Sequence, residues 1–377
     1  MQARIIGNTG IHASVLGIGC MRLPVIDQDS SKIDENKAIE LIRYAIDGGV
    51  NYVDTAYPYH GGHSESIVGK ALQDGYREKV HLVTKAPTWL LETETDFDRY
   101  LDEQLEKLQT ETLDIYLLHA LSKSRWDKLL EINIFEAIER AKASGKIKNI
   151  GFSFHDTLDV FKEIVDAYDW DVCMIQFNYM DVEDQAGEAG LLYAESKDIP
   201  VIVMEPLKGG MIATPPDSIS KIFKESGSDQ NRSPVEWALR FVANYKNVKV
   251  VLSGMSNLDQ LKENIDIADR LQAESLTADE LKVIAKVRDA YQARVKVPCT
   301  QCGYCMPCPH GVDIPRAFTL YNRASIFDAH DQIKGQYNSA KDVLASKCIA
   351  CGACEPQCPQ HIEIISRLKE VVTAFES

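Results

Sequence analysis

Between Leu16 and Leu252 the chain alternates two kinds of patterning. Short apolar runs are followed by stretches in which apolar positions recur at three- and four-residue intervals. The runs are Leu16-Met21, Val50-Val53, Val80-Thr84, Leu113-Leu118, Ile147-Phe152, Val172-Phe177, Pro200-Met204 and Val248-Leu252. Each is as long as a strand, and continuous apolarity is what a parallel strand buried on both faces requires. The intervening stretches are helical. Ala38, Leu41, Ile42, Ala45 and Ile46 share one face before the Gly48-Gly49 stop, and Phe97, Leu101, Leu105 and Leu108 repeat the pattern. Ser233-Pro234-Val235-Glu236 is a capping box with proline at the first helical position, and Thr277 to Glu280 opens a further helix to about Arg294. Ahead of the first unit, Ala3 to Ile6, the turn Asn8-Thr9-Gly10 and Ile11 to Val15 predict a hairpin that serves as a lid or plug. Eight β/α units predict a (β/α)8 TIM barrel rather than an open doubly wound sheet. Gly17-Ile18-Gly19 agrees, because it lacks the third glycine and helix start of a dinucleotide fingerprint and reads as a barrel strand.

The net charge of −15 over 377 residues disfavours the phosphates of nucleic acid and an anionic membrane surface. No basic-then-apolar leader and no run of about 18 apolar residues occurs, so the expectation is a soluble, cytoplasmic protein. From Lys296 to Ser377 eight Lys/Arg balance eight Asp/Glu, which places the acidic excess in the barrel. The expected domains are therefore a barrel over 1–295 and a separate small domain over 296–377.

Eight of the ten cysteines fall between Cys299 and Cys358, which in a chain without a secretion signal points to metal ligation before disulfides. Cys348-x2-Cys351-x2-Cys354-x3-Cys358-Pro359 has the bacterial ferredoxin spacing, and Cys299-x2-Cys302-x2-Cys305-x2-Cys308-Pro309 has one residue fewer before its last cysteine. Paired C-x2-C units also suit zinc, but evenly spaced cysteines closing on Cys-Pro favour two 4Fe-4S clusters. Crossed ligation would join Cys299, Cys302 and Cys305 with Cys358, and Cys348, Cys351 and Cys354 with Cys308. His310 and His361 follow the Cys-Pro pairs as flanking or surface residues, and Cys20 and Cys173 read as core thiols on strands.

A barrel builds its active site at the carboxyl ends of its strands. There the chain carries Asp54, then Tyr59, then Lys85, then His119. Reduction of a carbonyl by hydride needs a proton donor. A tyrosine serves if an ammonium favours its ionised form and a carboxylate holds that ammonium. Each residue alone also fits a structural ion pair or a satisfied polar group; the combination at consecutive strand ends carries the catalytic reading.

With Asn51-Tyr52-Val53-Asp54-Thr55-Ala56, Leu82-Val83-Thr84-Lys85 and Asp114-Ile115-Tyr116-Leu117-Leu118-His119 on the page, the sequence resembles the aldo-keto reductase family, in the branch with a C-terminal ferredoxin-like domain. The resemblance implies NAD(P)H-dependent carbonyl reduction with Tyr59 as general acid, Lys85 lowering its pKa, Asp54 paired to Lys85 and His119 orienting the carbonyl. It implies that Ser153 and Gln176 hold the nicotinamide amide, and that Pro206, Leu207, Lys208, Gly209 and Gly210 line the pyrophosphate. Ser256 fits that phosphate site, and Gln260, Glu263 and Asn264 match the family's adenosine end. Phe154 and Met204 depart from the family pattern, and Gln260 stands where many relatives have an arginine for a 2′-phosphate, so NADP(H) and NAD(H) both stay open.

The expected function is an oxidoreductase acting on a small-molecule carbonyl or alcohol substrate (aldehyde, ketone or related), linked through its clusters to a ferredoxin-like electron-transfer partner. The alternative is an electron-transfer or redox-sensing protein that uses the barrel as a docking platform; Tyr59 and Lys85, which a scaffold would not need, favour the enzyme. Trp89 and Trp126 sit in loops that could line the pocket or pack on the rim.

Overall fold

The computed structural model describes residues 1–227 and 232–377. It opens with an antiparallel hairpin, β1 (Ala3–Ile6) and β2 (Ile11–Ser14), in the register Ala3↔Ser14 to Ile6↔Ile11. The apolar runs then become β3 (Leu16–Gly19), β4 (Tyr52–Asp54), β5 (His81–Ala86), β6 (Ile115–Leu121), β7 (Ile150–Phe154), β8 (Val172–Gln176), β9 (Val201–Met204) and β10 (Val248–Ser253). All pair in parallel with their sequence neighbours, and β10 closes the barrel by pairing with both β9 and β3.

The strand limits differ from the apolar runs where a polar residue lies inside a strand. β6 runs past His119 to Leu121, with its register to β7 shifting between Leu118 and Leu121 and Ala120 at φ 52°. The end of the Leu16-Met21 run instead turns into a 3-10 helix at Cys20–Arg22.

Inside the barrel Tyr52, Val83, Leu117, Met174, Ile202 and Val250 pack as one cluster. Gly17 is what that packing demands: a β-carbon there would lie 2.8 Å from Val250 Cγ1 and 3.1 Å from the Tyr52 ring, inside normal contact. Ile6, Ile11 and Ala13 of the hairpin join the same cluster, so the hairpin plugs the barrel. Arg4 fixes the end it plugs, donating to the carbonyls of Ala243 (2.8 Å) and Val248 (2.5 Å) at the start of β10. The opposite end, where the strands finish, is left for chemistry.

The helices follow their patterns. Glu35–Asp47 buries Ala38, Leu41, Ile42, Ala45 and Ile46, and Glu94–Leu108 buries Phe97, Leu101, Leu105 and Leu108. Pro234–Ala243 is capped by the Ser233 side chain, which accepts from Glu236 N at 3.2 Å. No helix of the described residues is long and apolar enough to cross a membrane.

By its contacts the chain forms two compact units, residues 1–213 with 232–277, and 214–231 with 278–377. The second begins ahead of the change in charge at Lys296, because the helix Ala278–Gln292 belongs to it. Among its described residues it is built of helices without a β-strand. Val312, Phe318, Tyr337, Leu368 and Phe375 form its core. The buried Tyr337 hydroxyl is satisfied on both sides, donating to Glu376 (2.6 Å) and accepting from Ala345 N (2.7 Å).

Candidate active site and cluster cavities

Asp54 ends β4, Lys85 lies near the end of β5, and both are 1% exposed. A lone ammonium at that depth would be costly, so its partners define the site. Lys85 Nζ donates to Asp54 Oδ1 at 2.6 Å, to the Thr55 carbonyl at 2.8 Å and to the Tyr59 hydroxyl at 3.2 Å. Burial works against the ammonium, but Asp54 and Tyr59 together outweigh it and hold its pKa above the ordinary value. Burial pushes the Tyr59 phenol up, and Lys85 opposes that rise. Burial is the larger of the two effects, so the phenol's pKa lies above its ordinary value.

The strand that carries Lys85 is held from behind. Gln104 Nε2 donates to the Lys85 carbonyl at 3.0 Å, its Oε1 accepts from Tyr116 OH at 2.6 Å, and Thr84 Oγ1 donates to the buried Glu65 at 2.6 Å. On the other side Thr55 and Ser64 hydroxyls meet at 2.9 Å, and Ser64 donates to the Cys20 carbonyl at 3.0 Å. No sequence motif marks this network, whose members lie on separate elements.

His119 meets Tyr59 edge-on, ring centroids 5.9 Å apart, and Trp89 covers its other side at 5.3 Å. Its Nδ1 is buried and has no partner among the described residues. Burial, aided by Lys85, His155 and Arg125, drives its pKa well below the usual histidine range, so the ring is neutral at physiological pH. The two candidate tryptophans separate here. Trp89 stands at the site with Arg125 over its ring at 5.5 Å, while Trp126 is fully buried against Phe135 and Trp170. Trp126→Ala is therefore expected to cost about 3–5 kcal/mol of stability, and Trp89→Ala to change KM with little loss of stability. Urea unfolding of both variants checks this; equal destabilisation would refute the separation.

Several of the residues expected to contact the cofactor are held by other protein groups. Ser153 Oγ accepts from Ala120 N at 2.7 Å, which leaves its own proton to donate. Gln176 donates to Asp184 at 3.0 Å. Pro206 and Leu207 follow β9 and lead into the 3-10 turn Lys208–Gly210, where Gly209 and Gly210 have φ of 66° and 91° and Lys208 pairs with Asp181. Ser256 N and Oγ both donate to Gln260 Oε1, at 2.9 and 3.2 Å, at the start of Leu258–Ala268. Glu263 is exposed on that helix, and the buried Asn264 donates to Ser253 at 2.8 Å, tying the helix to β10.

In the second unit the cysteines line two cavities. Cys299, Cys302, Cys305 and Cys358 wall one, with Phe318 and Ile362. Cys305, Cys308, Cys348, Cys351 and Cys354 wall the other. Each cavity is walled by thiols of both runs, as crossed ligation requires, and Cys305 lines both. Among the described residues no three His, Cys, Asp or Glu converge as a lone metal ion would need. His310 and His361 are exposed, and His310 lines the second of these cavities. Cys20 and Cys173 are fully buried, and burial pushes both thiols up, as in inert core cysteines.

Residues 15–289 match the aldo/keto reductase family, and residues 298–363 match a 4Fe-4S dicluster domain. The chain is 31% identical over 274 residues to the aldo-keto reductase YhdN of Bacillus subtilis, covering 69% of this chain and 76% of that one. It is 26% identical over 306 residues to the L-galactose dehydrogenase of Arabidopsis thaliana, covering 76% and 94%. The holo form of the aldo-keto reductase AKR11C1 from Bacillus halodurans superposes with a TM-score of 0.65 at 28% identity, over 76% of this chain and 96% of that one. An aldo-keto reductase from Klebsiella pneumoniae in complex with NADPH shares the fold, with a TM-score of 0.61 at 21% identity over 76% and 96%.

Proposed function

The chain belongs to the aldo/keto reductase family of oxidoreductases and carries a C-terminal 4Fe-4S dicluster domain, and on that premise we propose that its barrel reduces an aldehyde or ketone using a nicotinamide dinucleotide, NADP(H) or NAD(H). The observation that supports this best is the buried Lys85 ammonium, shared between Asp54 and the Tyr59 hydroxyl.

A reduced nicotinamide, when bound, supplies a hydride to the carbonyl carbon. The Tyr59 hydroxyl gives its proton to the carbonyl oxygen, so the C=O bond becomes CH–OH. The phenolate left behind is stabilised by Lys85 and reprotonated from solvent before the next turnover. Asp54 keeps Lys85 charged and in place. His119, neutral, offers a hydrogen bond to the same oxygen and so orients the carbonyl towards Tyr59. Ser153 and Gln176 are suited to the nicotinamide amide, and Pro206 to Gly210 with Ser256 to the phosphates.

The eight cysteines line two cavities, Cys305 on both, and so suit two 4Fe-4S clusters, which when bound would supply one-electron steps to a ferredoxin-like partner. Carbonyl reduction by hydride and proton is complete without them, and they are assigned no step in it.

The test is anaerobic titration of the full-length protein with NADPH and NADH side by side, followed by turnover with 4-nitrobenzaldehyde. Binding of one or both nucleotides and oxidation matched by alcohol formation are expected. Failure to bind either nucleotide would overturn the proposal.

A further inference from the structure

Barrels frequently hold phosphate between the loops that follow their seventh and eighth strands. In this chain those loops follow β9 and β10, and one cation touches both. Arg22 lies on the 3-10 turn after β3. Its stem runs along Gly254 after β10: a β-carbon on that glycine would sit 3.4 Å from Arg22 Cδ and 3.5 Å from Cγ. Its guanidinium ends against Gly209 after β9, where a β-carbon would sit 3.0 Å from Nη2. The two glycines form the trough in which the side chain lies.

The backbone beside Arg22 is fixed. Leu23 N donates to His60 Nε2 at 3.1 Å, and the other ring nitrogen of His60 meets the Ser30 carbonyl at 2.7 Å. His60 directly follows Tyr59, so the turn that places the proton donor also places Arg22. The guanidinium itself is exposed, and among the described residues it has no hydrogen bond or ion pair. Lys208, in the loop that the family resemblance places at the pyrophosphate, is instead held by Asp181 at 2.5 Å.

We infer that Arg22 holds the pyrophosphate of the nicotinamide dinucleotide, an inference that rests on the proposed function above. The planar fork of a guanidinium can meet two phosphate oxygens at once. In a chain of net charge −15 an anionic cofactor needs a local cation of this kind.

Full-length wild type, Arg22→Ala and Arg22→Lys are titrated with NADPH, NADH and reduced nicotinamide mononucleotide, followed by nucleotide fluorescence, with circular dichroism as the check on folding. Arg22→Ala should bind both dinucleotides about 10- to 100-fold more weakly, the range for a lost charge-assisted contact. It should change the mononucleotide, which has no pyrophosphate, far less, and Arg22→Lys should recover part of the loss. Unchanged dinucleotide affinity in Arg22→Ala would overturn the inference while leaving the proposed function standing. A loss confined to NADPH would also overturn it, by moving Arg22 to the 2′-phosphate. Wild-type protein that binds no nicotinamide nucleotide would remove both.

Discussion

Tyr59→Phe lowers aldehyde reduction by at least about 100-fold, the effect of removing a general acid, and leaves nucleotide binding near wild type. The substitution deletes one oxygen, the one that Lys85 reaches at 3.2 Å, and keeps the ring that packs against His119. The direction of the pH dependence follows from the same contacts. Burial raises the phenol's pKa with Lys85 opposing, so Tyr59 is protonated across neutral pH and reduction declines only as alkaline pH passes that pKa. His119 is held well below its ordinary range and adds no inflection between about pH 6 and 8. In Lys85→Met the opposing charge is gone, so the phenol is a poorer acid and turnover falls alongside Tyr59→Phe. Steady-state rates from pH 6 to 10 with paired nucleotide titrations measure all of this. Wild-type turnover in both variants would place the proton donor elsewhere.

What the sequence made legible is what periodicity and spacing encode. The apolar runs locate all eight barrel strands because a strand buried on both faces cannot tolerate polar residues in its middle. Asp54, Lys85 and His119 stand out because they break that rule at strand ends. The same rule hides the true end of β6, because the apolar run stops before His119 while the strand continues through it to Leu121. Contacts between distant elements were not legible. Both tryptophans follow a strand end, and what separates them is packing against other elements: Trp89, on the 3-10 turn Thr88–Leu90, faces His119, while Trp126, on the helix Lys123–Glu131, fills the core. Lys208 sits in a glycine-rich loop that suits phosphate, yet its partner Asp181 comes from a different loop, and Arg22 carries no motif at all.

The cysteines show both sides of this limit, and the second large prediction tests where they divide. The two runs, Cys299 to Cys308 and Cys348 to Cys358, carry the ferredoxin spacing from which crossed ligation is expected, and the cavities likewise draw their walls from both runs. Cys358 walls the cavity of Cys299, Cys302 and Cys305, and Cys308 walls that of Cys348, Cys351 and Cys354. Anaerobically purified wild type should hold about eight iron and eight acid-labile sulfides per chain. Cys358→Ala should hold about four of each, since a cube that loses one thiolate ligand is readily lost. A single variant cannot say which cube was lost, so pairs of substitutions decide. Under crossed ligation Cys299→Ala with Cys358→Ala strikes one cube twice and leaves about four iron, while Cys348→Ala with Cys358→Ala strikes both and leaves almost none. Ligation within each run predicts the reverse for the two pairs. Iron and sulfide analysis with electron paramagnetic resonance of the reduced proteins reads the result, and zinc in place of iron and sulfide in the wild type would refute the cluster assignment altogether.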